Sequence, residues 1–136
     1  MDIVNHAVAG AAVGAAYGRP VVGALFGVLP DLVLGVRRLT VPTPAYNLTH
    51  SLSFVIVVGA IAGAVLGSPL PLLALLSHLL LDLPTHGPVW APPLLYPGSV
   101  KRYSYGDEWE WFSRSWWIGL SITSIWSATW LSVAYL

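Results

Sequence analysis

The stretch Leu70-Pro71-Leu72-Leu73-Ala74-Leu75-Leu76-Ser77-His78-Leu79-Leu80-Leu81-Asp82-Leu83 decides how this chain is read. Leucine and alanine favour a helix, and Pro69 and Pro84 bracket the run as a start and a stop. The segment is apolar on every face, which a surface helix of a soluble domain is not. It also carries His78 and Asp82, four residues apart and therefore on one face, one turn from each other. An ionisable pair in so apolar a helix costs free energy unless its members pair, line a wet cavity or bind something.

Outward from this helix the pattern repeats. Towards the N-terminus an apolar segment over about 52–66 turns at Gly67-Ser68-Pro69, a strong breaker. Two Gly- and Ala-rich segments, about 3–17 and 21–36, are joined by Gly18-Arg19-Pro20 and predict a tight antiparallel hairpin. Gly10, Gly14, Gly23 and Gly27 allow its backbones to approach closely. Pro30 is expected to kink or end the second segment. Beyond Pro84 a loop over about 88–114 is rich in Pro, Trp and Tyr and holds most of the remaining charges, as an interfacial segment would. A last apolar segment, about 116–136, has Trp116, Trp117 and Tyr135 at its ends as interface anchors.

Composition agrees. Of 136 residues 56% are hydrophobic and 9% charged, against roughly a quarter charged in soluble domains, and the mean hydropathy is +0.71. The expectation is an all-α, polytopic transmembrane bundle of four to five helices, one integral-membrane domain over 1–136, with membrane lipids as its surroundings. Basic and acidic residues cancel, so no nucleic-acid footprint is present. Asp2 stands where a signal peptide carries positive charge, so the first helix is expected to remain. There is no cysteine, and any metal must be held by imidazole and carboxylate.

Alternating helix directions place the polar residues together. His6 begins the first helix, Asp31 ends the second, His50 begins the third, and His78 and Asp82 end the fourth, with His86 one turn further on. All four histidines thus fall in one layer, with two aspartates, while the opposite turns carry only Arg19. Taken singly, each is as readily a helix cap or a turn residue. Together they make a candidate metal site of His6, Asp31, His50, His78, Asp82 and His86, six donors, enough for one or two divalent ions, zinc first among them. Arg37, Arg38, Lys101 and Arg102 flank the same face and place it towards the cytoplasm.

These residues also carry a family resemblance. Met1-Asp2-Ile3-Val4-Asn5-His6, Leu29-Pro30-Asp31, Thr49-His50-Ser51, His78-Leu79-Leu80-Leu81-Asp82, Pro84-Thr85-His86-Gly87 and Leu95-Tyr96-Pro97 follow in that order. In this the chain resembles the LexA-regulated, membrane-bound metal-dependent hydrolases. The resemblance implies an inner-membrane protein with metal-dependent hydrolase activity, and matches His6, Asp31, His50, His78 and Asp82 to the family's polar motifs. Two departures stand out. Val33 occupies a position where many members have a second acidic residue, and Asn47-Leu48 replaces Arg-Gly before Thr-His-Ser.

Residues and resemblance together predict a hydrolase in which His6, His50, His78 and Asp82 hold the ion. Asp31 is then a further ligand or the base that takes a proton from water. A lipid or a phosphoester is the expected substrate. The alternatives are a metal or proton carrier built from the same residues, and a polar network that fixes helix register with no ion.

Overall fold

The computed structural model of the chain describes residues 3–32, 41–105 and 116–135, and every regular element in them is helical. The helices are α1 (Ile3–Ala15), α2 (Pro20–Leu32), α3 (Pro44–Thr49), α4 (Leu52–Leu66), α5 (Leu70–Thr85) and α6 (Trp116–Ala134). The helical class expected from the sequence therefore holds.

Close glycine packing joins α1 to α2. A methyl group built on Gly27 would lie 2.5 Å from the His6 carbonyl oxygen, and one on Gly14 would lie 2.5 Å from that of Arg19. Only hydrogen fits between these backbones. Gly18 makes the intervening turn with a positive φ of 65°, a conformation that costs glycine little.

Local capping explains the next two helices. Thr43 accepts a hydrogen bond from the Tyr46 N–H with Pro44 as the first helical residue, and Ser51 accepts from Phe54 in the same way. Both satisfy amide donors that a helix start leaves open. Gly67, at φ 60°, closes α4, and the Ser68 N–H reaches back to the Gly63 carbonyl at 3.0 Å, the bond pattern of a Schellman ending.

The Leu-rich helix α5 is central and touches α1, α2, α4 and α6. Its Leu75 and Leu79 pack with Val55 of α4, and its Leu70 and Ala74 with Val13 of α1. Each fully buried leucine contributes about 1.5–3 kcal/mol relative to an exposed one.

Several expectations change. The polytopic transmembrane bundle is overturned, because among the described residues no helix is long and apolar enough to cross a membrane. Helices α1 and α2 have 13 residues each, about 20 Å at 1.5 Å per residue, against a hydrocarbon core of roughly 30 Å. Helices α4 and α5 are only slightly longer, with 15 and 16 residues. Helix α6 has 19 residues, but Ser121, Thr123, Ser124, Ser127, Thr129 and Ser132 dilute its apolar character. Pro and Gly turns cut an apolar chain into short pieces, and composition alone does not register the cuts. The role of Trp117 and Tyr135 as anchors at the ends of a span falls with the span.

Smaller differences concern boundaries. Pro30 lies inside α2 and Pro84 inside α5, and both helices continue past them. Helix α3 was hidden in what the sequence presents as a Pro-rich loop. The continuation of the second segment through Val36, with Val33 and the Arg37-Arg38 pair, lies outside the described residues, as do residues 106–114 of the expected interfacial loop.

Candidate metal centre

Four helix ends bring the polar residues to one place. His6 comes from the second turn of α1, Asp31 from the last turn of α2, His50 from the junction of α3 and α4, and His78 and Asp82 from the last turns of α5. His86 caps α5. His6, His50, His78 and Asp82 are fully buried. The Asp31 side chain is 25% exposed and that of His86 16%, so these two form the open side.

The spacings fall into two groups. Around the Nε2 atoms of His50 and His78, themselves 3.2 Å apart, lie Asp31 Oδ1 at 3.3 and 3.9 Å and Asp82 Oδ2 at 3.7 and 3.3 Å. The other Asp82 oxygen, Oδ1, lies 3.0 Å from His6 Nε2 and 2.9 Å from His86 Nε2. The His6 ring stacks on the His78 ring with centroids 3.6 Å apart.

Main-chain carbonyls fix which nitrogen of each inner imidazole carries hydrogen. His78 Nδ1 lies 2.7 Å from the Gly27 carbonyl oxygen, and a carbonyl only accepts. Nδ1 is therefore the donor, and in the neutral ring Nε2 presents a lone pair. His50 is set the same way, its Nδ1 lying 3.2 Å from the Tyr46 carbonyl and 3.0 Å from Thr49 Oγ1. Four lone-pair atoms then converge with no hydrogen between them, which is favourable only around a cation or an added proton.

Electrostatics prepares the same donors. Burial, reinforced by His78, lowers His6 to about 3, and burial also lowers His50. Burial alone would raise Asp82, but His86, with His6 and His78, outweighs it and holds the carboxyl well below its usual range. Asp31 is lowered as well, because His78 and the His50 hydrogen bond outweigh its burial. For His78 burial acts downwards, and Asp82 and Asp31 overcome it and raise the value. Ionised carboxylates and neutral imidazoles are the forms that bind a metal; where no ion sits, His78 is the group that takes the proton.

Sequence reasoning missed the support around His50. The Tyr46 ring stacks on the His50 ring with centroids 3.9 Å apart, and the Tyr46 hydroxyl donates to the Trp90 carbonyl. Arg102 donates to the Ala91 carbonyl at 2.9 Å and to Asn47 Oδ1 at 2.7 Å. Leu52 N–H donates to the Leu94 carbonyl and Ser53 Oγ to that of Tyr96. The segment after α5 is thus tied down over α3 and the start of α4, with Tyr46 between it and His50. The Tyr-x-x-x-His spacing behind Thr43-Pro44 was the available signal, since it places both rings on one helical face.

The chain matches the family model of the YdjM inner membrane protein over residues 1–136. The chain belongs to the YdjM inner membrane protein family. A membrane location follows for this YdjM-family chain. No curated protein and no solved structure matches it. Two groups of its donors could hold an ion, His50 with His78 and Asp82, and His6 with Asp31 and His78, in each case with ligand atoms within 4.8 Å of one another.

The donor set fits a small divalent cation. Tetrahedral ligands at about 2.0–2.1 Å from zinc lie roughly 3.3 Å from each other, and the separations of the His50 and His78 Nε2 atoms from each other and from Asp31 and Asp82 run from 3.2 to 3.9 Å. Two imidazoles and two carboxylates are ligands of the type that zinc takes.

Proposed function

We propose that this inner-membrane family member is a metal-dependent hydrolase, with one divalent cation, zinc in the first instance, held by Asp31, His50, His78 and Asp82. The observation that carries the reading is the convergence of two bare Nε2 atoms and two carboxylates at ligand-to-ligand spacing, with both imidazoles oriented from behind by main-chain carbonyls. Histidine ligands are commonly held by such an outer hydrogen bond, which fixes the tautomer and raises ligand basicity. When bound, the cation would lower the pKa of a water and polarise the oxygen of a scissile ester.

The chain's own residues divide the remaining work. Asp31, the most exposed of the four, stands at the open side: with its carboxylate off the ion, the position it leaves would admit a water, as a catalytic site requires, and the freed carboxylate would accept that water's proton. Asp82 and His78, fully buried, close the inner side, and the Asp82 carboxylate offsets the positive charge of the ion. Tyr46 closes the site behind His50.

A lipid or phosphoester is the substrate class. The outward faces around the site are apolar, with Leu32, Leu48 and Val89 exposed within three residues of Asp31, His50 and His86, and α4 exposes Ile56, Val57, Ile61 and Val65, a surface suited to lipid contact. Exposed Lys101, on the segment that covers Tyr46, suits the anionic headgroups of the cytoplasmic leaflet. A proton in place of the ion, held by His78, gives the competing reading of a register-fixing network without hydrolysis.

The test is turnover. Purified protein incubated with phospholipid vesicles and with a chromogenic phosphodiester should release product, lose the activity to a chelator and regain it with zinc. The Asp31→Asn protein should turn over at least a hundredfold more slowly. Product formation that ignores the chelator, or none in any metal-loaded sample, contradicts the hydrolase.

A further inference from the structure

Asp82 uses its two oxygens differently. Oδ2 faces His50 and His78 at 3.7 and 3.3 Å, separations that match two ligands of one ion. Oδ1 faces His6 and His86 at 3.0 and 2.9 Å, separations that match N–H···O hydrogen bonds to a carboxylate. The tautomers divide in the same way. His50 and His78 spend their Nδ1 hydrogens on main-chain carbonyls and turn Nε2 inward. His6 turns Nε2 to a carboxylate oxygen, which can only accept, and its buried Nδ1 has no hydrogen-bond partner among the described residues.

We infer that His6 and His86 are positioning residues, not ligands: each donates its Nε2–H to Asp82 Oδ1 and so turns Oδ2 towards a single ion held with Asp31, His50 and His78. This rests on the cation site proposed above and gives His6 and His86, the two of the six sequence candidates that it leaves out, a place behind its four ligands. Stacking of His6 on His78 gives His6 a second hold on the ligand set. His86, partly exposed, is the outer of the two. A carboxylate ligand that accepts two hydrogen bonds on its distal oxygen loses rotational freedom before the ion arrives, so the ligand geometry is set in advance.

Cobalt(II) bound to the full-length protein in detergent is the probe, since its visible absorption reports ligand number and type. The wild type should take up one cobalt per chain. His6→Gln and His86→Gln each keep an N–H near the position of Nε2, and both should bind one cobalt with an unchanged visible band and affinity within about threefold of wild type. His6→Ala and His86→Ala should keep the band and lose 10–100-fold in affinity, the usual cost of an outer partner. Rescue by glutamine, with the spectrum constant, separates positioning from general loss of packing, and His86→Gln, at a partly exposed position, carries the test if the buried His6 variants do not fold. A changed band in either glutamine variant, or a second cobalt in wild type that these variants lose, overturns the inference while leaving the cation site in place. No cobalt in the wild type overturns both.

Discussion

The Nε2 atoms of His50 and His78 face each other across 3.2 Å, although each ring gives its other nitrogen's hydrogen to a main-chain carbonyl, that of Tyr46 and that of Gly27. Two lone pairs at that distance repel. The relationship makes sense when something positive lies beside both, and several outcomes follow from it.

Replacing His78 removes both a donor and the partner of the Gly27 carbonyl. His78→Ala should reduce zinc affinity by more than the 10–100-fold typical of an outer partner, measured by competition with a chelating dye, whereas Ser77→Ala should change it little.

Gly27 links the site to the packing of α1 on α2. In Gly27→Ala the added carbon would sit 2.5 Å from the His6 carbonyl oxygen, so the helices must separate. Overpacking of this kind costs about 1–3 kcal/mol. Chemical unfolding in detergent should show that loss, and zinc affinity should fall with it, because the carbonyl that orients His78 moves too.

Tyr46 separates two contributions. Tyr46→Phe keeps the ring against His50 and removes only the hydrogen bond to Trp90, a net loss of about 1 kcal/mol in unfolding measurements with zinc affinity nearly intact. Tyr46→Ala removes the stack as well, and zinc affinity should drop severalfold.

Zinc uptake should release a proton. His78 is raised above the usual imidazole value because Asp82 and Asp31 overcome its burial, so the ion-free site holds a proton there until the pH passes that raised value. Below it the ion must displace the proton, and apparent affinity should fall about tenfold per pH unit for one proton; above it affinity should level off. Calorimetry in two buffers of different ionisation enthalpy measures the proton directly.

Much of the site was legible in the sequence for a simple reason. Ionisable residues are rare in so apolar a chain, and helix direction alternates, so His6, Asp31, His50, His78 and Asp82 could only meet at one end. The helical class was legible from the same apolar runs. Helix length was largely legible as well, since the expected segments 52–66 and 70–83 stand beside helices of 15 and 16 residues; what failed was reading such segments as membrane spans, which need some 20 unbroken apolar residues. The division of labour within the site was also hidden. Sequence spacing relates His78 and His86 to Asp82 equally, four residues to either side, and only the distances to its two oxygens tell them apart. Tyr46 escaped because Pro42 and Pro44 mark a loop, while Pro44 in fact opens a short helix as its first residue.

The measurement that bears most directly on the central claim is the metal content of the full-length protein, purified without added chelator, beside the His50→Ala, His78→Ala double variant. The account predicts close to one divalent ion per wild-type chain by elemental analysis and close to none in the double variant. A metal-free wild type that also fails to take up zinc on dialysis would contradict it.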